Sequence, residues 1–200
     1  MSRVFELYGI PVFETYIADS RLNLVQNELG SAIEDLKNNN AFGRPKQWVY
    51  QDTHNVSDPS FSTNFLDKYD LKQVKEEIRI AVCDYLQALR YTGMYQYRIG
   101  SSWLTLTRKG EYAHMHTHGF FDISGAYYYK TNGDDGELFF DQPQDLIRNS
   151  IFIKNIPDRM VFKPEVGKML LFPSWFRHGV KPNPTDNERI SLSFNIELRR

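Results

Sequence analysis

"RISLSFNIEL", residues 189–198, alternates without a break: Arg189, Ser191 and Ser193 fall on one side of an extended chain, and Ile190, Leu192 and Phe194 on the other. Successive strand side chains point to opposite faces, so the segment reads as a β-strand with one clean apolar face for a core. The opposite face carries a guanidinium and two hydroxyls, which belong either in solvent or on a pocket wall. In a small barrel the inner face of such a strand can line a ligand cavity. Working back from it, "YRIGSSWLTLTRKG", "YAHMH", "ISGAYYYK", "ELFFDQ", "KMLLFP" and "HGVKP" are further short β-like runs separated by Gly, Pro, Asn and Asp. Everything from about Tyr95 onward therefore predicts an antiparallel sandwich or barrel. The turn "TNGDDG" reads as a solvated hairpin connection.

Upstream of Tyr95 the period changes. Leu22, Val25, Leu29, Ile33 and Leu36 recur at three- and four-residue steps, as do Leu71, Val74, Ile78, Val82, Tyr85 and Leu89. Each set is the stripe of an amphipathic helix, the first ending near "KNNN" and the second with Asp70 as a candidate cap. The start, "VFELYGIPVFETY", reads as a strand broken by Gly9 and Pro11. Between the helices lies a turn-rich stretch around "WVY" that includes His54, expected to be a loop or surface histidine.

Composition narrows the function classes. The 200 residues are 41% hydrophobic and 14% aromatic, enough for a buried core. Lys plus Arg total 24 against 25 Asp plus Glu, a net charge of -1. Such a balance offers no field for nucleic acid or an anionic membrane. No apolar run approaches the roughly 20 residues of a membrane helix, and the first residues lack the order of a signal peptide, so a cytoplasmic protein is expected. The single cysteine, Cys83, excludes an internal disulfide and sits in a helical pattern, as a buried inert thiol would.

The chemistry concentrates in "HMHTHGFFD", residues 114–122, which holds three of the five histidines. On a regular strand His114, His116 and His118 would share a face, a geometry suited to chelation, and Asp122 follows within reach of a turn. Spacing alone leaves open which of the four would hold an ion. A further histidine, His178, follows "MLLF" and a Pro-Ser-Trp turn, and Arg189 comes eleven residues later.

The order of these blocks resembles the Fe(II)- and 2-oxoglutarate-dependent oxygenases, in particular a small bacterial and phage branch. The shared pattern is H-x-H, then S-G-x-Y-Y, then F-P-S-x-x-x-H, then R-I-S-x-S-F-N, spanning roughly Ser102 to Ile196. The resemblance implies a mainly β fold, a double-stranded β-helix of the jelly-roll, cupin-like kind, with the two helices packed outside. It also implies one domain over 1–200, in which 1–94 supplies helical support and N-terminal strands and 95–200 the catalytic core. By the same resemblance, Fe(II) would be held by His116 and His178 with His118 as third ligand, and 2-oxoglutarate by Arg189 and Ser191, with a phenol from Tyr127 or Tyr129. An acceptor, small-molecule or peptidyl, would be hydroxylated as the cosubstrate becomes succinate and carbon dioxide.

The usual first pair in this superfamily is His-x-Asp or His-x-Glu, and neither "HMH" nor "HTH" offers the acid. A cupin-like spacing from Gly110 through His116 and His118 would instead bring Asp122 into the sphere and leave His114 outside it. The alternative function is accordingly a metal- or sugar-binding cupin-type jelly roll without oxidative chemistry, an isomerase or structural protein. Arg189 with Ser191 separates the two, since only the oxygenase needs an anion clamp facing the metal.

Overall fold

The computed structural model describes residues 9–46, 54–91, 93, 96–141 and 159–199. The apolar "WVY" and most of the 142–160 loop lie outside these residues. In chain order the elements are β1 (Phe13–Tyr16), α1 (Asp19–Asn38), β2 (Asn55–Val56), α2 (Phe65–Lys68), α3 (Lys72–Ala88), β3 (Gln96–Thr107), β4 (Ala113–His116), β5 (Ile123–Lys130), β6 (Leu138–Asp141), β7 (Arg159–Phe162), β8 (Lys168–Pro173), β9 (His178–Val180) and β10 (Arg189–Arg199). The pairings are antiparallel and form two sheets, a larger one ordered β1-β8-β5-β10-β3-β2 and a smaller one ordered β4-β9-β6-β7. This mainly β arrangement is the expected double-stranded β-helix, with the early β1 added at one edge of the larger sheet.

Strand β10 lies between β3 and β5, with Leu192 opposite both Leu104 and Tyr127. Its alternation sorts the two sides of the sheet. Ile190, Leu192, Phe194 and Ile196 join Leu104, Leu106, Tyr127, Met169 and Leu171 in one buried cluster with the stripes of α1 and α3. The helices thus cover the outer face of the larger sheet, and burying these side chains is worth about 1.5–3 kcal/mol each. The inner face looks toward the smaller sheet, where Tyr128, Leu138, Phe140, Leu170, Phe172 and Phe176 form a second cluster.

Helix α3 is capped differently from the expectation. Leu71, not Asp70, is the N-cap residue, and no side chain of its own caps the helix. Asp70 takes up the left-handed turn before it, at φ 46°, a conformation Asp tolerates. The exposed amides of the first turn are met instead from α1, where the Glu28 carboxylate accepts from Gln73 N (2.9 Å) and Val74 N (3.2 Å). An acid at a helix N-terminus is favourable wherever in the chain it comes from. The short α2 was not foreshadowed by any periodicity, being a single turn. Among the described residues no helix is long and apolar enough to cross a membrane.

Candidate active site

The imidazoles meet because β4 and β9 pair in a register that sets His116 directly opposite His178. Their ring centroids lie 4.4 Å apart. Strand β4 ends at His116, so His118 sits in the turn beyond it. There its backbone N donates to Ser174 O (2.8 Å) and its carbonyl accepts from Phe121 N (3.0 Å). Each of the three offers a ring nitrogen, and these atoms lie within 4.8 Å of one another, a grouping that could hold a metal ion.

Backbone carbonyls orient two of the rings. Nδ1 of His116 lies 2.7 Å from His114 O, and Nδ1 of His178 lies 2.8 Å from Phe176 O. A neutral imidazole that donates through Nδ1–H keeps its lone pair on Nε2, the tautomer a metal needs. His114 is exposed and contributes its carbonyl to this arrangement. Asp122 is not brought into the group: it is exposed, and its Oδ2 accepts from Leu198 N (2.7 Å). The turn through Gly119 carries the chain past the imidazoles before Asp122 is reached, so the carboxylate serves β10 instead.

Burial pulls His118 down to about 3, with His116 adding to the effect, and it holds His178 well below the usual histidine range for the same reasons. Both rings are therefore neutral near pH 7, as ligation requires. The linkage has a definite sign. These folded-state values lie below the unfolded 6.5, so below that pH the unfolded chain takes up protons that the folded chain refuses, and stability falls with acidification. Between pH 6.5 and 5 the metal-free protein is expected to lose stability through both imidazoles, because the unfolded histidines titrate there and the folded ones do not. Urea unfolding midpoints measured across that interval check it; a midpoint independent of pH contradicts it.

Between the sheets lies a cavity of about 480 Å³, lined by the three histidines and by Arg189, Ser191, Ser193 and Asn195 of β10. That is the size range of small-molecule sites. Arg189 is 2% exposed. Its Nη1 donates to the carbonyls of Gly136 and Asp135, and Nη2 donates to Thr107 Oγ1 (3.1 Å). Nε has no partner, and among the described residues no carboxylate forms an ion pair with the guanidinium. Burial lowers its pKa from the ordinary arginine value, opposed by nearby Tyr128 and Asp135.

The tyrosine expectation needs correction. Tyr127 points into the helix-side core, its hydroxyl accepting from Gln26 Nε2 (3.1 Å), and Tyr129 packs against that same cluster. The phenol on the cavity wall is Tyr128, pushed up to about 12 chiefly by burial and so protonated at neutral pH. His54 lies in a loop, one of the two expectations, but it is buried on the cavity wall with Nδ1 3.1 Å from Tyr112 O. Trp103 and Thr105 of β3 line the cavity, with Phe61 edge-on to Trp103 at 5.9 Å. Alternation along 101–107 was the available signal for Trp103 and Thr105, whereas nothing local marked His54.

Residues 101–195 match the family described as "Putative 2OG-Fe(II) oxygenase". No curated protein sequence matches the chain. Among solved structures, the chain is similar to a prolyl-4-hydroxylase from Pseudomonas putida, at 17% identity over 96% of this chain and 94% of that one, TM-score 0.60. It is also similar to a Trichoplax adhaerens prolyl hydroxylase in complex with a hypoxia inducible factor peptide fragment, at 14% identity over 94% and 83%, TM-score 0.62. A third is HygX from Streptomyces hygroscopicus with nickel, 2-oxoglutarate and hygromycin B bound, at 12% identity over 94% and 83%, TM-score 0.55. At these identities the structural likeness is one of fold.

Proposed function

We infer where the chemistry is done from the premise that this chain, through residues 101–195, is a 2-oxoglutarate- and Fe(II)-dependent oxygenase. The observation that carries the reading is a single cavity with three clustered imidazoles and, in its wall, a buried guanidinium with an unpartnered Nε. The donor set fits the group. Three protein nitrogens from His116, His118 and His178 would leave coordination positions for a chelating cosubstrate and oxygen. A buried cation without a counter-ion is costly, and a dicarboxylate satisfies it.

When bound, Fe(II) and 2-oxoglutarate would supply an oxidative decarboxylation by dioxygen, one oxygen atom going to succinate, released with carbon dioxide, and the other to the acceptor. The residues do the positioning. Arg189 would take the far carboxylate through its unpartnered Nε–H edge, because Nη1 is already engaged by two carbonyls. Tyr128, protonated, and Ser191 would add hydroxyls to the same carboxylate. Nδ1 contacts to His114 O and Phe176 O keep the Nε2 lone pairs of His116 and His178 turned inward. Phe61 and Trp103 make an apolar wall beside His118, whose ring lies 5.7 Å from Trp103, and His54 is a further wall residue. There a small-molecule or peptidyl acceptor would sit, the two classes named among the structurally similar proteins. The non-oxidative jelly-roll alternative gives no reason for an unpaired buried arginine.

Turnover tests the reading. With Fe(II), oxygen and 2-oxoglutarate, the protein is expected to form succinate slowly even without an acceptor, and His178→Ala to form none above background. Equal succinate yields from the two proteins would reject the site.

A further inference from the structure

Arg189 is held in an unusual way for a buried cation, by peptide carbonyls and a hydroxyl instead of a carboxylate. The carbonyls belong to Asp135 and Gly136, at the end of the turn from Thr131 that joins β5 to β6. The sequence predicts a solvated turn, yet Asp135 is 0% exposed. Its carboxylate is spent entirely on the turn and the facing loop. Oδ1 accepts from Thr131 Oγ1 (2.6 Å), and Oδ2 accepts from Asn132 N (2.9 Å) and Asn187 Nδ2 (2.6 Å). Asn187 is tied in turn to Asn183, 1% exposed, whose Nδ2 donates to Asn187 O (2.7 Å) and to Thr107 O (3.3 Å). Gly136 completes the cradle at φ +104°, where a Cβ would lie 2.5 Å from Lys181 O and 3.3 Å from Arg189 Nη1.

The arrangement separates two tasks that one acid would otherwise confuse. A carboxylate placed on the guanidinium would neutralise it and compete with an incoming anion. Here the acid fixes the turn and acts on Arg189 only at a distance, while the hydrogen bonds to the guanidinium come from the turn's carbonyls and Thr107 Oγ1, so no carboxylate occupies the edge left for a ligand. We propose that Asp135 is a positioning residue for cosubstrate binding, acting through the Thr131–Gly136 turn to hold the Arg189 guanidinium in place. The proposal rests on the reading that Arg189 takes the far carboxylate of 2-oxoglutarate.

A comparison of two ligands separates this role from a structural one. 2-Oxopentanoate has the chain length of 2-oxoglutarate and the same chelating end but lacks the far carboxylate. Both are titrated anaerobically into Fe(II)-loaded wild type, Asp135→Asn, Asn187→Ala and Arg189→Ala. Asp135→Asn loses the charge that accepts three hydrogen bonds, so its dissociation constant for 2-oxoglutarate is expected to rise about tenfold or more. Binding of 2-oxopentanoate should stay at the wild-type value. Asn187→Ala removes one donor to the carboxylate and should shift 2-oxoglutarate in the same direction by less; it carries the test if Asp135→Asn fails to fold.

Equal losses for both ligands would mean a structural role and overturn the proposal. An unchanged 2-oxoglutarate affinity in the folded Asp135 and Asn187 variants, with a large loss in Arg189→Ala, would overturn it while leaving the clamp intact. Wild-type affinity in Arg189→Ala would instead remove the underlying reading of Arg189.

Discussion

His178→Ala is expected to abolish stoichiometric Fe(II) binding. His178 is buried at the start of β9, opposite His116, with its Nδ1 fixed by Phe176 O, so its Nε2 is a preorganised donor. If the apparent 10–16 kcal/mol of a four-ligand structural site is shared among its donors, one imidazole contributes about 2.5–4 kcal/mol, or two to three orders of magnitude in affinity. The two remaining histidines would not retain a labile ferrous ion through gel filtration. His114→Ala is the matched control, since it removes an exposed ring and keeps the backbone carbonyl that orients His116. It should retain iron. Metal content of the two purified variants decides the matter, and full occupancy in His178→Ala would reject the assignment.

Arg189→Ala is expected to keep its iron and lose 2-oxoglutarate. Removing one partner of a buried charge pair typically costs about 3–5 kcal/mol, two to nearly four orders of magnitude in affinity. Among the described residues no carboxylate is in ion-pair contact with the guanidinium, whose Nε has no partner, so an anionic ligand would meet an unoccupied edge. Arg189→Lys should fall between the two proteins: the charge remains, but a point ammonium cannot use the Nε edge while also satisfying the carbonyls of Asp135 and Gly136. Iron content in each variant reports whether the fold survives. A surface arginine on an edge strand would predict no change, but β10 is flanked on both sides by β3 and β5.

The residues that organise the β half were legible because their alternation is unambiguous. In β10 the polar and apolar positions never mix, so the placement of Arg189 and Ser191 opposite Ile190 and Leu192 follows from period alone, and the inner face is the one on the cavity. The helices were legible for the same reason, down to stripe residues such as Val25, Leu29, Val82 and Tyr85. The tyrosines of β5 were not, because Tyr127, Tyr128 and Tyr129 put the same ring on both faces and parity has no polarity contrast to work on. Register supplies what composition lacks: Ser191 pairs with Tyr128, and neighbouring residues in register share a face. The burial of His54 and Asp135 was not legible, because it depends on contacts far along the chain. His54 reaches the cavity across from Tyr112, and Asp135 is enclosed by Asn187, more than fifty residues away.

Whether His118 or Asp122 lies beside His116 depends on a short piece of backbone. Spacing allowed either: a regular strand would keep His118 beside His116, and a bulge or turn beyond His116 could bring in Asp122 instead. The chain does turn, but His118 N is tied to Ser174 O and β5 begins at Ile123 paired with both Ile196 and Pro173. That leaves Asp122 on the outside with Leu198. A metal held here by three neutral imidazoles would keep its full charge, which favours an anionic, chelating cosubstrate over a neutral one.

The central claim is that one cavity brings 2-oxoglutarate to iron held by His116, His118 and His178, anchored at its far end by Arg189. Its most direct test is optical. Anaerobic addition of 2-oxoglutarate to the Fe(II)-loaded protein should raise a weak visible charge-transfer band, because chelation by a 2-oxo acid places its low-lying carbonyl orbital on a reducing ion. The band should saturate at one equivalent per iron in wild type, require far more ligand in Arg189→Ala, and be missing in His178→Ala. Saturation at the same 2-oxoglutarate concentration in wild type and Arg189→Ala, or no band from wild-type protein that holds stoichiometric iron, would contradict the account.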